Sequence, residues 1–74
     1  MSAHLPVVTG DRLIRALKRH GWTVLRQRGS HIRLRRGDRT ISVSAHAKQD
    51  VPVGTLASIL DDAGLTPDDL RRLL

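Results

Sequence analysis

Alternation of aliphatic and cationic side chains is the clearest pattern in the chain. From Ser30 to Arg36, Ile32 and Leu34 fall on one side of an extended strand, and His31, Arg33 and Arg35 fall on the other. Gly37-Asp38 is a two-residue turn signal, and Arg39 to Ala45 resumes the alternation. A hairpin closed there sets Arg36 opposite Arg39, Leu34 opposite Ile41 and Ile32 opposite Val43. Its other face pairs Arg35 with Thr40, Arg33 with Ser42 and His31 with Ser44. A slip of one residue would send every aliphatic side chain to the wrong face, so the pattern selects this register. Trp22 to Gln27 is also β-favouring, with Gly29 between it and the second strand. A two-residue turn and a bulged turn at Gly29 would turn opposite faces of residues 22–26 inward, and the pattern leaves both open.

Helical spacing frames the strands. Thr9-Gly10-Asp11 carries helix-start chemistry, with Thr9 or Asp11 as cap, and Gly21 suits a helix end. A helix from about Asp11 to His20 places Leu13, Ile14 and Leu17 on one side and Arg12, Arg15, Lys18 and Arg19 on the other. Residues 1–9 form an extended lead. Residues 46–51 make a polar loop, and Pro52 suits the start of a second helix with Leu56, Ile59 and Leu60 as its stripe and Gly64 as its end. Thr66-Pro67-Asp68-Asp69 starts a short third helix, where Leu70, Leu73 and Leu74 can pack. The predicted fold is α+β, an α-β-β-β-α chain with a three-stranded antiparallel sheet, helices on one face and a short C-terminal helix.

Charge changes this picture. The 74 residues carry 13 cations and 7 acids, a net +6. Residues 12–39 hold ten cations against one acid, Asp38, or +9, whereas residues 61–69 hold four of the acids. Eleven of the cations are Arg, the side chain that forks onto phosphate. Segregation of this kind points to a polyanionic partner. The length allows one domain over residues 1–74, with a small core, since such chains bury only about 60% of their unfolded surface. There is no Cys, hence no disulfide and no thiolate metal site. No leader-like start or apolar run of membrane-spanning length is present, so a cytoplasmic protein without membrane contact is expected.

The chemistry on offer is narrow. The sequence contains no P-loop, dinucleotide fingerprint or zinc signature. The acids are too scattered for a two-metal nuclease, and His31, His46 and Asp50 match no standard metal spacing. Ser30 and His31 are strand neighbours and point to opposite faces, which disfavours a nucleophilic pair. A histidine among arginines fits cleavage of RNA without a metal or cofactor. RNA carries its own nucleophile, the 2′-hydroxyl, and an imidazole of ordinary pKa ~6.5 can take its proton. Arginine can stabilise the charge that builds on the phosphate. Residue chemistry alone leaves cleavage and plain RNA binding both open.

The chain also resembles the HicA family of bacterial toxins, small mRNA interferases. The resemblance runs through Leu5 to Gly10, Gly21-Trp22, Arg26-Gln27-Arg28-Gly29-Ser30-His31, His46, Gly54 to Leu60 and Ala63-Gly64-Leu65. It implies a double-stranded-RNA-binding-domain-like fold, endoribonuclease activity on mRNA, and neutralisation by a HicB-type antitoxin. It singles out His31, the residue after Gly-Ser, as the catalytic histidine. The family's usual basic residue in the second helix is Ala57 here, and the position after Leu60 is Asp61. RNA contacts are therefore expected from the first helix and the hairpin: Arg12, Arg15, Arg19, Arg28, Arg33 and Arg35. Gly29, Ser30 and His46 are supporting candidates, His46 as complementary acid or as loop anchor. Two rivals share this fold: an RNA-binding module without turnover, and a module whose basic half serves only a protein partner.

Overall fold

A computed structural model describes residues 4–74. The elements are α1 (Gly10–Arg19), β1 (Thr23–Arg28), β2 (His31–Arg36), β3 (Arg39–Ser44), α2 (Val53–Ala63) and α3 (Pro67–Leu73). The strands form one antiparallel sheet in the order β1-β2-β3. The α+β reading and its element order are as expected. The expected lead is irregular from His4 to Val8, and its residues 1–3 lie outside the described residues.

The register of β2 and β3 is the one the hydrophobic pattern selects, from Arg36 opposite Arg39 to His31 opposite Ser44. Ile32, Leu34, Ile41 and Val43 are all buried. They share one core with Leu13, Leu17, Leu56, Ile59, Leu60 and Leu70 from the helices. Burying a side chain of this kind stabilises a fold by about 1.5–3 kcal/mol. Trp22 lies just before β1 rather than in it and is 3% exposed, with its backbone N–H donating to Leu17 O. The lone aromatic is thus a core residue against α1.

At Gly29 the chain takes the two-residue turn. Gly29 has φ +60°, and Arg28 stands opposite His31. The strand pair then meets a bulge, because the register shifts between Val24 and Arg26. Leu25 is the extra residue and is 52% exposed. The bulge lets Val24 and Gln27 both take the helix side, while Arg26 and Arg28 take the open side.

Of the three helix starts, only that of α3 has a side-chain cap. α3 has the full capping box: Asp69 N donates to Thr66 Oγ1, and Thr66 N donates to Asp69 Oδ2. Thr9 is the N-cap of α1, but its hydroxyl donates to Asp11 instead of accepting from the helix backbone. Loop 46–50 supplies the missing acceptors: Gly10 N donates to Gln49 O and Asp11 N to Ala47 O. Val51 N donates to Val8 O, and Thr9 bridges Asp50. The loop therefore closes the first turn of α1.

This close approach fixes Gly10. A Cβ there would lie 2.3 Å from His46 O and 2.8 Å from His46 C. Gly10→Ala is expected to push the loop off α1 and lower the urea midpoint. Gly54→Ala, whose Cβ would meet nothing within 4 Å, is expected to hold or raise it, by up to about 1 kcal/mol.

Acid titration provides a second check. The Thr9 hydroxyl, the Arg12 N–H and the nearby cations hold the Asp11 carboxyl below its ordinary value. The Thr66 backbone and side chain, with Arg72, do the same for Asp69. A depressed folded-state pKa contributes stability that is complete above the unfolded value, near 3.8 here, and fades as pH falls through the folded value. Melting temperature is expected to fall below about pH 4. Asp69→Asn should flatten that fall, and an unchanged acid limb would count against the capping-box contribution.

Candidate nucleic-acid interface and catalytic histidine

Alternation leaves one sheet face uncovered among the described residues. Along the centre of that face run His31, Arg33 and Arg35, flanked by Arg28, Arg26 and Thr23 of β1 and by Ser44, Ser42 and Thr40 of β3. All nine are exposed. A depression of about 340 Å³ lies around His31, walled by Arg26, Arg28, Arg33, Ser42 and Ser44. No carboxylate is among its described lining residues. It can therefore meet an anion with three guanidinium groups and two hydroxyls around one imidazole.

The expected site residues do not all converge. Arg28 and Arg33 lie beside His31. Arg35 lies four residues further along β2, about 13 Å at ~3.3 Å per residue. Its Nε donates to Gly37 O at 2.6 Å, holding the head over the hairpin turn. Arg12 and Arg15 are exposed on α1. Arg19 is tied across the fold, with Nη1 donating to Leu73 O at 2.6 Å, so it anchors the end of α3. Ser30 O accepts from Ala45 N at 3.0 Å and joins the tip of the first hairpin to the end of β3. Gly29 makes the tip itself and has open space around it.

His46 is exposed but does not share the His31 depression. It lines a second cleft of about 390 Å³, between α1, the Gly29-Ser30 tip and the loop after β3. Its carbonyl accepts from Gln49 N and sits against Gly10. Ser44, opposite His31, is the hydroxyl nearest in register.

Arg26 is the residue the sequence reading missed. Its place on the open face depends on the two-residue turn at Gly29, which the hydrophobic pattern could not select. Among the described residues, no group of three or more His, Asp or Glu could hold a metal. None of the helices is long and apolar enough to cross a membrane.

The face carries an electrostatic cost. On it Arg26 stands opposite Arg33. Like charges directly opposed in a sheet are destabilising by roughly 0.2–1 kcal/mol per pair. Arg33→Thr is expected to raise the melting temperature at low salt, and the gain should shrink as salt screens the pair. A loss of stability at low salt would show that Arg33 is a structural residue.

A family model described as HicA toxin of bacterial toxin-antitoxin matches residues 10–65. That span runs from the start of α1 to just past α2 and includes both depressions. No curated protein and no solved structure matches the chain.

Proposed function

The chain belongs to the HicA toxin family of bacterial toxin–antitoxin systems, and from that premise we propose that it is a metal-independent endoribonuclease acting on mRNA. Family membership implies an antitoxin partner. The observation that carries the enzymatic reading is the His31 depression: one imidazole on an open face, ringed by Arg26, Arg28 and Arg33.

In this mechanism the His31 imidazole, in its neutral form, takes the proton of an RNA 2′-hydroxyl. The 2′-oxygen forms a bond to the adjacent phosphorus as the bond from phosphorus to the 5′-oxygen breaks. Water protonates the departing 5′-oxygen, leaving a 2′,3′-cyclic phosphate and a 5′-hydroxyl end. Arg28 and Arg33, with Arg26 beside them, neutralise the charge that builds on the non-bridging oxygens. Ser44 supplies a hydroxyl opposite His31 for the same phosphate or for the ribose. DNA lacks the nucleophile and does not react. Arg12 and Arg15 extend the cationic track along α1. The antitoxin, of the HicB type, covers the open sheet face and shields His31. The protein works in the cytoplasm, where its mRNA target is found, and residues 1–74 act as one domain.

Purified protein incubated with mixed-sequence RNA in EDTA is expected to cut it. His31→Ala, folded by circular dichroism, is expected to lose activity by about 10²–10⁴-fold, the usual worth of a general base. It should keep most of its salt-sensitive RNA binding. Activity that survives His31→Ala would remove His31 from the site. Activity lost in EDTA and restored by Mg²⁺ would remove the metal-free mechanism. Binding without cleavage by the wild type would leave an RNA-binding module, and no RNA affinity at all would leave a protein-binding one.

A further inference from the structure

The second cleft lies on the helix side of the sheet, across the hairpin tip from His31. Its floor is aliphatic, from Ile14, Ile32 and Ala45, and its polar groups include Gln27, Ser30 and His46. Arg15 and Lys18 stand on its α1 wall. Lys48 is close enough to act on Asp11, the only acid among its described lining residues. An apolar floor with a few convergent polar groups, at this volume, is the usual make-up of a small-ligand site. Ile32 lines both this cleft and the His31 depression. The two therefore meet at Ile32, beside the Gly29-Ser30 tip.

We propose that this cleft holds one unpaired nucleotide of the RNA, close in sequence to the bond that His31 breaks. The inference rests on the proposed action on RNA. The base lies on the Ile14 and Ile32 floor, with Gln27 and Ser30 within reach of its edge. The sugar-phosphate stays at the rim with Arg15 and Lys18. The strand bends over the glycine tip to reach the sheet face. Cationic walls favour a polyanion over an apolar peptide. Unstacked single-stranded bases are the usual target of sequence-selective RNA binding, which a duplex in its stacked form does not offer. Trp22, the one Phe, Tyr or Trp of the chain, is buried, so base recognition on this protein falls to aliphatic, imidazole and guanidinium surface of this kind.

Ala47 lines the cleft and is exposed, and only its backbone carbonyl bonds to α1. Ala47→Phe fills the cleft while sparing that bond. Binding is read by fluorescence anisotropy in the His31→Ala background, with a labelled single-stranded RNA of about eight nucleotides, within usual site sizes. Adding Ala47→Phe is expected to weaken binding about tenfold, in line with the loss of one base contact. Gln27→Ala should weaken it less. Abasic substitution along the RNA should find one position where loss of the base costs the parent affinity but costs the Ala47→Phe protein nothing. Equal affinities, or no such position, overturn the inference. So does an Ala47→Phe protein that binds RNA normally but loses its antitoxin. The nuclease reading is tested separately by wild-type cleavage. If the wild type does not cut but Ala47→Phe still weakens RNA binding, the nuclease falls and the cleft stands. If the wild type cuts and Ala47→Phe leaves RNA binding unchanged, the cleft falls and the nuclease stands.

Discussion

Among the described residues the sheet has only one covered face, and the rest of the molecule follows from that constraint. Three strands and three short helices have just enough apolar surface to close one side. Ile32, Leu34, Ile41 and Val43 are committed to the helices. Their strand neighbours His31, Arg33, Ser42 and Ser44 must then face outward, because strand side chains alternate. The functional face is the necessary reverse of the core. No single residue of β2 can change sides without carrying the whole strand with it.

The outward face is costly for a domain of this size. Small domains hold only a few kcal/mol of net stability, and opposed arginines subtract from it. Elsewhere the chain uses its charges to stabilise the fold. Arg71 and Arg72 meet Asp68 and Asp69 along α3, Arg19 caps the end of that helix, and Arg39 reaches Asp62 O. The contrast supports reading the uncompensated cluster around His31 as kept for a ligand rather than for the fold.

Loop 46–51 links the core to the second cleft. It closes the α1 N-terminus, packs against Gly10 and positions His46 and Ala47 at the second cleft. Ser30 O ties the hairpin tip to the start of the same loop at Ala45. The tip that presents His31 and the helix that carries Arg12 and Arg15 are therefore held by one set of backbone bonds. Backbone bonds of this kind are indifferent to side-chain identity, so a polar stretch with no periodicity could still hold a central structural place.

The sequence by itself determined the two helix stripes, the β2–β3 register and the outward placement of His31, Arg33 and Arg35. Each of these follows from a short period repeated over several residues, with one face apolar. It also determined the α3 start, whose Thr-Pro-Asp-Asp chemistry is local. Tertiary structure alone decided the first hairpin. There, the two-residue turn at Gly29 settles which cations join His31, and the bulge at Leu25 settles that Val24, not Leu25, packs inward. It likewise decided the fate of individual arginines, since Arg19 and Arg35 are held by carbonyls of Leu73 and Gly37 rather than left free. It separated His46 from His31, which the chain's linear order had left as neighbours across a strand end. Such outcomes depend on contacts between segments far apart in sequence and on backbone groups common to every residue, and neither leaves a periodic trace.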